Sequence, residues 1–150
     1  MSDIEKVKGW LREFPRADLL DSLQVDYTDS LPNGFGVFPS GLVEIRRVRD
    51  ITGAVTVTNQ YNFALYAVFE KAPGDDIGAQ INADWIMDFQ KWVQEQSVTG
   101  AAPTFGNVEQ NRETMSAQNG ALYQADAEGT AMYMIQLSAT FKNFYGGGNK

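Results

Sequence analysis

The chain has 150 residues, 43% of them hydrophobic and 21% charged, which fits one globular domain with a sizeable core. It holds no apolar run of the roughly 18 residues a membrane-spanning helix needs, and its first ten residues, MSDIEKVKGW, lack the apolar centre of a secretory leader. With no cysteine and no histidine, disulfides, thiolate metal sites, the commonest metal ligand and the commonest general base near neutral pH are all excluded.

The formal net charge is −7, and the acidity is spread along the chain. Residues 1–75 carry eight basic and eleven acidic side chains and residues 76–150 carry four and eight, so neither half concentrates Lys and Arg as non-specific DNA binding requires. Distributed acidity serves solubility; its functional alternative is a surface that repels DNA passing nearby.

At the N-terminus, Ser2 and Glu5 have the spacing of a capping box. Ile4, Val7, Trp10, Leu11 and Phe14 then recur at helical spacing, and Pro15 ends the pattern. Residues 16–34 read as a connection containing a short alternating stretch, Leu23, Val25 and Tyr27, and closing in the turn chemistry of Pro32-Asn33-Gly34. Phe35, Val37 and Phe38 lead into a second expected turn at Pro39-Ser40-Gly41. Leu42–Ile51 is a predicted strand, and within it lies the basic cluster Arg46, Arg47 and Arg49. Two readings of that cluster stand: charge guarding an edge strand against strand addition, or a docking patch for an acidic neighbour such as another copy of this chain.

After the short break at Thr52-Gly53 comes the longest predicted strand, Val55–Phe69. Val55, Val57, Tyr61, Phe63, Leu65, Ala67 and Phe69 share one face by the period of two, while Thr56, Thr58, Gln60 and Asn62 share the other. Pro73-Gly74 breaks the chain, Asp75 or Asp76 is an N-cap candidate, and a helix is predicted over 77–96. Its expected apolar stripe is Ile77, Ile81, Trp85, Phe89, Trp92 and Val93. Asp84 and Asp88, four apart, are a mildly repulsive pair or two oxygen ligands that lack a third; no metal is expected. Residues 97–111 form the longest irregular stretch, with Phe105 and Val108 as apolar anchors; it reads either as an ordered arm reaching a neighbouring subunit or as a mobile loop.

The last third reads as a hairpin, 121–125 and 131–141. Tyr133, Ile135, Leu137, Ala139 and Phe141 share one face with Ala131, and Met132 and Met134 make the start of the other face apolar too. Residues 146–150 are an expected flexible tail. The resulting expectation is a single α+β domain over 1–145, a mostly antiparallel sheet packed by two main helices. Phosphate-binding glycine loops, dinucleotide fingerprints and nucleophile elbows are absent from the sequence. A carboxylate-pair enzyme stays open as an alternative because it needs only two acids across a cleft, but a binding or assembly protein is the expectation, with no catalytic residue and no cofactor.

Three blocks carry a resemblance: QYNFALYAVFEKA followed by DFQKWVQEQS and GAAP, the closing LYQADAEGTAMYMIQLSATFKNFY, and the opening helix that ends WLREFP. In this order they resemble the tail-terminator or tail-completion proteins of long-tailed phages and of prophages in Gram-positive bacteria, often labelled minor capsid proteins. Residues 16–50 match least. The resemblance implies an α/β subunit forming a ring, commonly hexameric, on the last ring of the tail tube, in the virion tail after assembly in the host cytoplasm. Its implied partners are its own copies, the tail-tube protein and the head-connector proteins. DNA would pass through the pore without specific binding, helped by an acidic wall, and no membrane would be involved. The family offers no catalytic residues to transfer. Interface candidates read from the residues are Arg46, Arg47, Arg49, Phe105 and Val108; another neck or tail-tube ring component of the same virion is the alternative.

Overall fold

The computed structural model describes residues 2–15, 22–25, 34–70, 76–125 and 130–146. The chain is an α+β domain in which helix α1 (Asp3–Leu11) and helix α2 (Asp76–Thr99) pack on one face of a sheet. Helix α1 begins as its sequence dictates: Ser2 is extended and its hydroxyl accepts the Glu5 amide at 3.3 Å. Val7, Trp10, Leu11 and Phe14 are buried, and Ile4 packs at the margin of the core.

The sheet holds β1 (Ser22–Val25), β2 (Gly34–Arg49), β3 (Val55–Glu70), β4 (Thr114–Ala125) and β5 (Thr130–Tyr145), in the spatial order β1-β2-β3-β5-β4. Four strands are each antiparallel to their neighbours; β1 adds four residues in parallel along the start of β2. The long strand β3 lies between β2 on one side and β5 on the other. The β3–β5 ladder runs without a register shift from Val55↔Tyr145 to Glu70↔Thr130. Val57, Phe63, Leu65 and Ala67 of β3 and Tyr133, Ile135, Leu137, Ala139 and Phe141 of β5 are buried on the helix side. The expected turns at Pro32-Asn33 and 126–129, the N-cap candidate Asp75, Tyr27 and the tail 147–150 lie outside the described residues.

Aromatic packing joins the layers. Trp10 stacks on Trp92 at 4.8 Å, and Phe14 meets Trp85 and Phe89 edge-on, each at 5.3 Å. The Trp10 indole N–H, buried at the same seam, donates to Gln96 Oε1 at 3.0 Å. Below it the Tyr61 hydroxyl donates to Asp3, tying the first turn of α1 to β3.

Four expectations change. Pro39-Ser40-Gly41 is a β-bulge inside one sixteen-residue strand and not a turn: the register shifts between Pro39 and Gly41, and Gly41 takes the positive φ of 94° that such a bulge requires. Proline is tolerated there because no described strand pairs with the outer edge of β2 beyond Val37. The C-terminal hairpin is longer than its apolar pattern, with β4 starting at Thr114 and β5 ending at Tyr145. Helix α2 continues to Thr99, through the start of the expected loop. Its buried arc is Asn82, Trp85, Ile86, Phe89, Trp92 and Val93, which leaves Ile81 54% exposed. Ile86 packs against β4 where Gly120 leaves room for it: a Cβ there would lie 2.4 Å from Ile86.

Phe89→Ala is expected to cost about 3–5 kcal/mol of unfolding free energy, the range for a buried aromatic cut to Ala, while Ile81→Ala shifts it by less than about 0.5 kcal/mol. Urea denaturation of the two variants checks the buried arc, and equal losses would contradict it.

Candidate assembly surface

Strand β2 loses its cover beyond Phe38. Every residue from Pro39 to Thr52 is exposed, which is unusual for a stretch carrying so many apolar side chains. Leu42, Val43, Ile45, Val48 and Ile51 are between 45% and 102% exposed, and Phe144 and Tyr145 of β5 join them at 43% and 57%. Register assigns the faces. Leu42, Glu44, Arg47 and Arg49 stand on the helix side of the sheet, opposite Tyr61, Asn59, Val57 and Val55; Val43, Arg46 and Val48 stand on the open side, opposite Gln60, Thr58 and Thr56. The second bulge, between Glu44 and Arg46, keeps both sets in phase with β3.

The three arginines come together on this end, in different roles. Arg47 is engaged by Glu44, Nη2 to Oε1 at 2.7 Å, and this hydrogen bond with the Glu44 charge raises the guanidinium pKa above its usual value. Arg49 reaches the Gly53 carbonyl at 3.5 Å, and Arg46 points out on the open side opposite Thr58. The hairpin turn is fixed by Asp50, whose Oδ1 accepts from the Thr52 amide, the Thr52 hydroxyl and the Ala54 amide at 2.8, 2.6 and 3.1 Å. The Thr52 hydrogen bond leads in holding that carboxyl below the usual carboxylate range. A stiff turn therefore carries Ile51 at its tip. On the helix side, Leu42, Arg47, Val55, Val57 and Tyr145 line a shallow hollow of about 340 Å³.

The segment 100–109 is ordered against its own domain. Phe105 packs edge-on against Tyr61 at 5.4 Å and near Phe141 at 5.7 Å. Glu113 accepts the Phe105 and Gly106 amides at 2.7 and 3.0 Å. Burial leads in raising its carboxyl pKa, against the pull of those amides. Asn107 completes the end of β5, giving to the Phe144 carbonyl at 3.0 Å and accepting the Phe144 amide at 2.6 Å. Val108 is half-buried and forms a bridge to Lys142, which pairs with Thr58, which pairs with Arg46. The two loop residues thus separate. Phe105 turns into the subunit, whereas Val108 lies in the Arg46 row, three strand spacings or about 14 Å away.

The open face of the sheet between the arginines and β4 is neutral and hydrogen-bonding. Thr56, Thr58, Gln60, Asn62, Ser138, Thr140, Ser116 and Gln118 share it, with Asn62 accepting from Ser138 at 3.0 Å. Among its described side chains the charges at this face are Arg46, Lys142 and Glu109, which holds Lys142 at 3.0 Å. An acidic surface exists elsewhere, on the exposed side of α2, where Asp84, Asp88 and Glu95 outnumber Lys91.

Enzyme-like geometry is sparse. Among the described residues no three His, Cys, Asp or Glu side chains gather as a metal would require. Asp84 and Asp88 are both exposed on α2. Glu113, the carboxylate lining a 420 Å³ hollow beneath the loop, spends both oxygens on backbone amides. Sequence reasoning missed the buried Asn59, whose amide donates to Asn143 at 2.9 Å, and the Tyr61–Asp3 tie, because neither pairing has a local signal. No protein-family model matches the chain, and no curated protein is similar to it.

Tyr61 offers a titration check. Burial first, then the hydrogen bond and charge of Asp3, push its phenol from the usual 10.0 up to about 12. A folded pKa above the unfolded one means that the stabilisation is complete below pH 10 and is lost as pH rises through about 12. Ultraviolet titration of tyrosinate is expected to show a late component near pH 12 that Tyr61→Phe removes; ionisation of every tyrosine near pH 10 would contradict the Asp3 tie.

Proposed function

We propose that this chain is a structural subunit of a phage tail, a tail terminator that closes the tail tube as a ring and joins it to the head connector. The observation that carries the reading is the exposed end of the β2–β3 hairpin. Five large apolar side chains and three arginines stand in fourteen consecutive exposed residues of a chain whose net charge is −7. Surfaces of this kind are covered in the working protein more often than they are left wet. A basic patch on an acidic chain is complementary to other copies of that chain, which steers association and fixes orientation. A ring needs two unlike surfaces on each subunit, and rotation closes the contact. The three-block resemblance supplies the tail setting, and the exposed hairpin end supplies the means of assembly.

The same surface serves another ring of the neck or tube equally well, so genetics decides between them. Phage particles lacking this protein are expected to carry overlong tails, visible by electron microscopy. Particles with no tube at all would assign the chain to the tube instead.

The double substitution Arg46→Glu with Arg47→Glu is expected to lower the oligomer mass measured by light scattering, while circular dichroism and melting stay as in the parent protein. Both residues are exposed and outside the core. An unchanged oligomer mass would contradict their part in the interface.

A further inference from the structure

Two surfaces among the described residues combine exposed large apolar side chains with unbalanced charge. The first is the hairpin end, where Leu42, Val43, Ile45, Val48 and Ile51 accompany the three arginines. The second is the outward stripe of α2. Ile81, Asp84, Asp88, Lys91, Glu95 and Val98 recur at alternating intervals of three and four, which sets them along one side of the helix, and all six are exposed. Ile81 and Val98, 54% and 80% exposed, bracket three acids and one lysine, a net of two negative charges. Elsewhere the described charges balance more nearly. Residues 2–15 set Asp3, Glu5 and Glu13 against Lys6, Lys8 and Arg12, and Glu109 pairs with both Lys142 and Arg112.

The two stripes share an order and a length. On β2, Leu42, Arg46 and Arg49 stand beside Tyr61, Thr58 and Val55 of β3. At about 3.3 Å per residue the two arginines lie about 10 and 20 Å beyond Leu42, with Ile51 following at the turn. On α2, at about 1.5 Å per residue, Asp88 and Glu95 lie about 10 and 21 Å beyond Ile81, and Val98 about 26 Å beyond it. Each stripe is therefore apolar at both ends and charged between, with opposite sign. Arg47 is engaged by Glu44 at 2.7 Å, which neutralises the part of the strand that falls nearest Lys91. Arg46 and Arg49 hold no carboxylate among the described residues.

We propose that the β2 edge of one copy lies along the outward stripe of α2 in a second copy, Leu42 beside Ile81 and Ile51 beside Val98. Arg49 then faces Glu95, and Arg46 faces the half that carries Asp84 and Asp88. Charge sets the direction of the contact: with the strand reversed, Arg46 would stand level with Lys91. Helix α2 packs on β4, two strands away from β2 across the sheet, so the stripes are unlike surfaces on different sides of the subunit. The contact is head to tail and repeats from copy to copy until rotation closes it. The inference rests on the ring reading and names the contact that builds the ring.

Charge reversal tests it on the full chain. Arg49→Glu and Glu95→Arg are each expected to weaken self-association at least ten-fold in sedimentation, and the variant carrying both is expected to recover most of the loss. Both side chains are exposed, so circular dichroism and melting stay as in the parent protein. The chain has no native cysteine, so a variant carrying both Leu42→Cys and Ile81→Cys is expected to give a ladder of disulfide-linked multimers on oxidation, which neither single variant gives. A charge-reversed pair as weak as the single variants would overturn the proposal, as would a missing ladder; with the parent oligomer intact, either result leaves the ring reading standing. A parent protein that stays monomeric at every concentration would remove both.

Discussion

The constraint on which the rest depends is the length of the β3–β5 ladder. Sixteen consecutive pairs hold without a shift, and at about 3.3 Å per residue each strand runs for about 53 Å. Helix α2 has 24 residues and at 1.5 Å each covers only about 36 Å, even if laid along the strands. A sheet of this length outruns its cover. The uncovered part is the outer strand β2 with its turn, where every residue from Pro39 to Thr52 is exposed while Ala54, Val57 and Asn59 beside it stay buried. On β2 the bulge between Glu44 and Arg46 keeps Val48, Arg46 and Val43 in phase with the neutral Thr56, Thr58 and Gln60.

The covered part explains why the projecting end can be stiff. Trp10, Phe14, Trp85, Phe89 and Trp92 form one aromatic seam between α1, α2 and the sheet, and the edges of that block are closed by side chains. Ser97 and Gln90 cap β4, Asn107 caps the end of β5, and Glu113 pins the segment before it. The outer edge of β2 beyond Val37 is treated differently. It has bulges, arginines and exposed apolar residues, but no described strand beside it. Bulges and charge guard an edge against indiscriminate pairing, while the apolar side chains keep a specific contact available. The two readings of the arginine cluster are thus compatible on one strand.

Much of this was legible in the sequence, and the failures have physical causes. The period of two in 55–69 identified the central strand because that strand is buried on one face, which makes its pattern strict. Ser2 and Glu5 located the start of α1 because the cap is local chemistry. The start of β4 was missed because the alternation of Met115 and Ala117 with Thr114, Ser116 and Gln118 is short and breaks at Asn119-Gly120; pairing with β5 carries the strand through. Ile81 was placed in the core on helical spacing alone, and Ile86, packed beside Gly120, is buried instead. Pro39-Ser40-Gly41 has turn chemistry, and pairing to β3 on both sides of it made it a bulge. For the candidate surface, Arg46, Arg47 and Arg49 were visible as a cluster. Their company of exposed apolar residues was not, because exposure depends on where the helices stop. Phe105 looked like an anchor for a neighbour and is an anchor for Tyr61 and Phe141.

The central claim is that this subunit is made to be covered by its own copies. Native mass spectrometry of the unmodified protein, across a range of concentrations, tests it most directly. The account predicts one dominant closed oligomer of fixed stoichiometry that persists on dilution. A mass spectrum of monomer alone at every concentration would contradict it.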